Sequence, residues 1–329
     1  MGSPDPHGRQ LNGLGSGLSS TSKVVILGPP SPGAGADVEF TFVQVGIKDG
    51  ALDVAGNCGN MSSIAGPAAW DMGLVPRENA CPLETDGEGR SWATVRIFNT
   101  NTNKTIMSRF RVQGDPPIYC PEGDYEMDGV PGKQSSITLS FLNPEGSKTG
   151  KALPTGNPVD ELRLPEGNSI SASLVDVGNP GVFVSAQHLG LDDTITPQVV
   201  EANSALKSRL EQIRRAGASK MGLDPNTESI PKIAVLLPPT GSVDLRCAAL
   251  SMGQAHKAVP LTLALCLGAA MRIPGTIAHG LTRKLEKDVL RIGHPSGTVD
   301  VGIKTSNETI EVAQLLRTAR VLMKGLLYY

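Results

Sequence analysis

Between Met61 and Met72 the chain reads MSSIAGPAAWDM, apolar or small almost without interruption, and it stops at Gly73. A run of helical length without a polar stripe predicts a helix apolar on nearly every face, which has to lie inside a domain with other elements wrapped around it. Asn57 is a good N-cap for that helix, and Gly73 suits its end. Cys58 then falls in the first turn, where unpaired N–H groups and the positive end of the helix favour anions. The same groups suit a substrate carboxylate, although a structural cysteine beside a tight backbone contact fits the spacing equally well.

A second stretch of this kind spans Gly253–Met271, GQAHKAVPLTLALCLGAAM, with Pro260 in the early turns where proline is tolerated. Each of the two helices is preceded by a strand and a glycine-containing start. The economical account is a pseudo-repeat in an α+β chain: two similar domains, residues 1–169 and 170–329, each a sheet around a central helix, with the helix N-termini facing one cleft. A chain of 329 residues suits two such cores.

Gly and Pro make up nearly a fifth of the residues and aromatics 4%, which predicts many turns and short strands instead of a helix bundle. The net charge of −2 leaves no basic footprint for nucleic acid or an anionic membrane, so an anionic substrate has to be held by local groups. The five cysteines are widely spaced without a CxxC, which points to neither a disulfide framework nor a zinc site. There is no signal-peptide pattern, and the longest apolar stretch, Ala258–Met271, is too short to span a bilayer. The chain reads as soluble and cytoplasmic.

Strands are expected at Val24–Leu27, Asp37–Ile47, Trp92–Asn99, Thr105–Val112 and Ile137–Leu142, with loose segments at Gln113–Gln134 and Asn143–Asn168. Ser173–Val177 and Val182–Ser185 flank a Gly178-Asn179-Pro180 turn. Gln198–Ala216 reads as one amphipathic helix with Leu206, Leu210 and Ile213 inward and Arg214 and Arg215 solvated. Ile233–Leu237 is a buried strand, Val289–Ile292 and Thr298–Ile303 flank a His294–Gly297 turn, and Arg317–Gly325 looks helical. The early GLGSG run is not a nucleotide loop, because it precedes a strand instead of following one.

Gly2-Ser3-Pro4-Asp5-Pro6, Ser19–Lys23, Gly56-Asn57-Cys58-Gly59-Asn60, Asp176–Pro180, Ser251-Met252-Gly253, His256-Lys257-Ala258 and His294–Gly297 follow one another in the order seen in the methylaconitate isomerase (PrpF) family, which the chain resembles over nearly its whole length. The resemblance implies a diaminopimelate-epimerase-like fold of two pseudo-symmetric halves, each an antiparallel or mixed sheet wrapped around its helix. It implies a cofactor-independent isomerase of small unsaturated polycarboxylates such as methylaconitate, aconitate, methylitaconate or oxalomesaconate. By similarity Lys23 and Cys58 are catalytic, and Ser22, Asn57, Gly59, Asn60, Asn179, Ser296 and Gly297 contact substrate. The family carries a segment with an RGGTSKG strand-loop ahead of the GSPDP motif, so the chain reads as N-terminally truncated.

Moving a double bond in such an acid requires a group that takes an allylic proton and one that donates or neutralises charge. The residues lean toward Cys58 taking the proton and Lys23 donating or holding a carboxylate; the resemblance permits the reverse. The expected partner is a tricarboxylate-like small molecule, with no metal, nucleic acid or membrane and with a homodimer possible. Competing readings are an oxalomesaconate-type tautomerase, an epimerase or racemase with two opposed thiols, and a non-catalytic relative. Cys247 is the candidate for a displaced second thiol, while Cys81, Cys120 and Cys266 read as inert. His294 reads as a turn residue and His256 and Lys257 as anion holders or caps, with Arg317 and Arg320 as structural or surface charges.

Overall fold

The computed structural model describes residues 1–76, 82–192, 195–283, 288–307 and 309–328. The first half contains β1 (Lys23–Gly28), β2 (Val38–Val45), β3 (Leu52–Asp53), α1 (Gly59–Asp71), β4 (Glu84–Thr85), β5 (Ser91–Asn99), β6 (Lys104–Gln113), β7 (Ile118–Tyr119), β8 (Tyr125–Glu126), β9 (Lys133–Gln134) and β10 (Ile137–Leu142). The second contains β11 (Asp160–Arg163), β12 (Ser169–Val177), β13 (Asn179–Ser185), α2 (Pro197–Ala202), α3 (Ser204–Lys220), β14 (Lys232–Leu237), β15 (Leu245–Ser251), β16 (Gln254–Ala255), α4 (Leu261–Arg272), α5 (Ile277–Leu281), β17 (Val289–His294), β18 (Gly297–Ser306) and β19 (Thr309–Arg317). Among these no helix is long and apolar enough to cross a membrane.

The strand pairings carry the pseudo-repeat. In the first half β1–β2 is antiparallel, β2–β5 parallel, and β5–β6 and β6–β10 antiparallel. In the second half β14–β15, β15–β17, β17–β18 and β18–β19 repeat that sequence of antiparallel, parallel, antiparallel and antiparallel. Each helix follows its second strand and a two-residue hairpin partner, β3 or β16. The repeats are joined by the antiparallel pair β10–β19.

Alternation explains why the sheets wrap the helices. Val38, Phe40 and Phe42 of β2, like Ala93, Val95 and Ile97 of β5, share one face and pack around α1. Helix α1 is surrounded by β1, β2, β5, β6, β7 and β10, and α4 by β12, β13, β17, β18, β19 and α5. In α4 every residue from Leu261 to Met271 is buried, as an all-round apolar helix must be. A second core forms outside this sheet, where Leu206, Leu210 and Ile213 of α3 meet β12, β13 and β14.

Several local expectations are corrected. The N-cap of α1 is Cys58 itself and the helix starts at Gly59, because the preceding Asn57 is held in the core instead of capping it. Helix α4 begins at Leu261 with Pro260 as its cap; residues 254–255 upstream pair with β15 as the hairpin β16. The Gln198–Ala216 helix is two helices sharing Asn203, whose side chain accepts from Leu206 N and caps α3. Arg214 is buried, bound to Glu211 and to the carbonyls of Pro225 and Thr227, where a solvated side chain was expected. The Gly178–Pro180 turn contracts to Gly178 alone, whose φ of +70° reverses the chain between β12 and β13. Beyond Arg317 the described residues contain no helix. The loose segments hold the short strands β7, β8, β9 and β11.

Contacts at the helix starts also tie the halves together. The start of α1 lies against the start of α4, so that a Cβ on Gly59 would sit 2.1 Å from Leu261 Cδ2. Beside it, Asn179 from the start of β13 grips the backbone of Asn57: its Oδ1 accepts from Asn57 N at 3.2 Å, and its Nδ2 donates to Asn57 O at 3.1 Å. Gly59→Ala is expected to cost about 1–3 kcal/mol of stability through overpacking, read as a lowered denaturant midpoint. Asn179→Ala leaves two buried backbone groups of Asn57 without partners and is expected to cost about 2–3 kcal/mol in the same titration.

Candidate active site

The two helix starts open into one cavity of about 610 Å³, a size typical of small-molecule sites. Its floor is Asn57–Met61 on one side and Val259–Thr262 on the other. Neither Cys58 nor Pro260 caps its helix through a side chain, so the first-turn N–H groups of both are open to an anion. The walls come from Lys23 at the start of β1, Lys232 at the start of β14, the 127–130 loop between β8 and β9, the β17–β18 turn and Arg317 at the end of β19.

The cavity gathers Lys23, Cys58, Asn57, Gly59, Asn60 and Ser296 from the sequence expectations. It does not gather the other three. Ser22 is fully buried with its hydroxyl donating to Gln10 Oε1 and Leu18 O, a bond set that shapes the turn ahead of Lys23. Asn179 spends both ends of its amide on Asn57 and reaches Thr262 Oγ1, so it holds the floor from beneath. Gly297 pairs with His294 in the hairpin, and a Cβ there would strike Asp128 Oδ2 at 2.4 Å.

The wall is strongly cationic. Lys23, Lys232, Lys257 and Arg317 line it, against Asp128 as its one carboxylate among the described residues. Asp128 accepts from Thr298 N at 2.6 Å and Thr298 Oγ1 at 3.0 Å, which hold its carboxyl below the usual range. Lys232 donates to Ser229 O at 3.1 Å; burial, reinforced by the neighbouring Lys23, lowers it from 10.5 to about 8 against the opposing pull of Cys58. Burial and the same two lysines push His256 down to about 4, so it is neutral near pH 7 and would meet an anion only through a ring N–H. Burial also lowers His294, whose ring meets Ser296 N and Oγ, each at 3.3 Å.

Cys58 is the one thiol on this wall among the described residues. Cys247 is buried in β15, and desolvation pushes its thiol up to about 12, which removes it as a second catalytic thiol. Cys266 is buried within α4 and donates to Val175 O, and burial likewise raises Cys120. Cys81 lies outside the described residues.

Lys232 and Asp128 were not found from the sequence. For Lys232 a signal was present: Lys23-Val24-Val25-Ile26-Leu27 and Lys232-Ile233-Ala234-Val235-Leu236 are the same lysine-headed apolar strand, in equivalent places of the two repeats. Arg317 was assigned to structure or surface, yet it stands on the cavity wall.

Comparison with known proteins follows this geometry. The family description "PrpF protein" matches residues 1–329. A 2-methyl-aconitate isomerase of Shewanella oneidensis is 36% identical over 99% of this chain and 86% of its own length. The crystal structure of a methylitaconate-delta-isomerase is similar at a TM-score of 0.77 and 37% identity, covering 98% of this chain and 85% of that one. A hydroxyproline epimerase from Agrobacterium vitis, at 13% identity, a TM-score of 0.51 and coverage of 91% and 74%, shares the fold alone. These alignments take in almost all of this chain and do not support reading it as a truncated relative. With a family match from end to end and relatives of this similarity, the chain is an isomerase that belongs to the PrpF family.

Proposed function

We propose that this isomerase moves the double bond of a small unsaturated polycarboxylate of the methylaconitate type, with Cys58 and Lys23 as its proton-transfer pair. The observation that carries the reading is the cavity wall: one thiol, at an uncapped helix start, and one lysine of the first repeat line the same cavity, amid an excess of cations. The substrate type follows the names of the relatives, and the charge of the wall is what such an acid requires.

In this reading the carboxylates are held by the open N–H groups of α1 and α4 and by the lysines. One member of the Cys58–Lys23 pair takes the allylic proton, the charge spreads over a dienolate, and the other returns a proton at the alternative carbon. Fixed N–H dipoles and Lys232 stabilise the dienolate. Asn179 acts indirectly, by fixing the backbone on which Cys58 sits. An epimerase with two opposed thiols is disfavoured, since Pro260 stands at the start of the second helix where the first has Cys58.

The test is proton exchange. In deuterium oxide, NMR should follow both isomerisation of methylaconitate or aconitate and deuterium uptake at the allylic carbon. Cys58→Ser and Lys23→Met should each lower both by about 10²–10⁴-fold, the usual worth of a general acid or base. Full activity in both variants would remove the pair from the mechanism.

Lys232 supplies a pH dependence with a defined sign. Its ammonium is charged below pH of about 8 and neutral above it, so an anion loses a partner as the pH rises. The value of kcat/KM should fall by about tenfold per pH unit beyond that point, and Lys232→Met should flatten this limb. A profile unchanged in Lys232→Met would exclude the role.

A further inference from the structure

Arg317 is a charge in an apolar row. On β19 the alternation places it on the inward face with Ala313 and Leu315, and it is only 8% exposed. A buried guanidinium is expensive unless an anion meets it. The one hydrogen bond of its side chain runs from Nη1 to the carbonyl of Leu316, and it forms no ion pair among the described residues. The nearby carboxylate, Asp128, is engaged by Thr298 instead. Arg317 stands on the cavity wall, where a bound anion can meet its remaining N–H groups.

Its charged neighbours differ from those of the lysines. Lys23, Lys232 and His256 act electrostatically on one another, and Cys58 acts on Lys232, whereas Arg317 interacts with His294 and Tyr125. Desolvation lowers Arg317 to about 10, so it remains charged near neutral pH. One cavity thus carries Arg317, from the end of β19, in addition to the lysines that begin β1 and β14. A planar guanidinium presents a fork that fits a carboxylate in two-point contact.

We propose that Arg317 is the subsite for a further carboxylate remote from the reacting carbons, so that this chain selects a tricarboxylate over a dicarboxylate. This rests on the isomerase reading for its chemistry, but its evidence is binding. The dicarboxylate meets the lysines and leaves Arg317 unpaired; the tricarboxylate reaches both.

Calorimetric titration of the full chain with cis-aconitate, a tricarboxylate, and itaconate, a dicarboxylate, tests it. The unaltered chain should bind aconitate more tightly. Arg317→Met should weaken aconitate about 100-fold, as loss of one partner of a buried charge pair does, and leave itaconate unchanged. Arg317→Lys keeps the charge without the fork and should fall between. The melting temperature of unliganded Arg317→Met should not drop, because the variant removes a buried charge that had no protein counterion. Equal weakening of both ligands, unchanged aconitate binding, or a loss of folding in Arg317→Met with aconitate affinity intact in Arg317→Lys would overturn the proposal.

Deuterium uptake separates it from the isomerase reading. Turnover of the dicarboxylate without binding of the tricarboxylate removes the subsite and leaves the isomerase. Arg317-dependent binding of aconitate without exchange on any ligand does the opposite.

Discussion

The closest approach in the molecule that matters for function is where the start of α1 meets the start of α4, Gly59 against Leu261, with no room for a side chain between them. The helices bring their N-termini this near because neither end is crowded by a side-chain cap and each helix is surrounded by strands of its own half. The repeated pairing order places those strands, and β10–β19 joins the two halves edge to edge. Asn179 then ties the Asn57 backbone to the second half, so that the residue before Cys58 cannot drift independently of α4.

A second constraint follows from the first. Uncapped helix starts and several lysines and an arginine around a single cavity repel one another when the cavity holds only water, and burial makes each charge harder to keep. Lys232 and His256 register this directly, both pushed toward their neutral forms by desolvation and by neighbouring cations. The natural counterweight is a ligand with several negative charges. A wall of this kind discriminates by charge number and spacing before it discriminates by shape.

The repeat also explains how unlike residues come to share one site. Lys23 and Lys232 occupy the same place in the two halves, but Cys58 has no counterpart thiol, since Pro260 stands at the corresponding helix start. The halves have kept the same frame while diverging at the cavity. The first half provides the thiol; the second provides the histidines, the hairpin turn with Ser296, and Arg317.

The sequence by itself determined the two central helices, because a run without a polar stripe has only one stable place, and most of the strands, because alternation leaves one face to bury. It also located Lys23 and the Asn57–Asn60 segment through motif order. Only the tertiary structure decided which of the other polar residues face the cavity. Ser22 and Asn179 lie near the motifs yet turn their hydrogen bonds into the protein, while Arg317 and Lys232, hundreds of residues from Cys58 or Lys23, are brought to the wall by strand ends that converge there. Periodicity reports which face of an element is buried, not whether that face meets a core or a cavity. For Arg317 that difference puts a buried charge on the wall of the cavity instead of in the core.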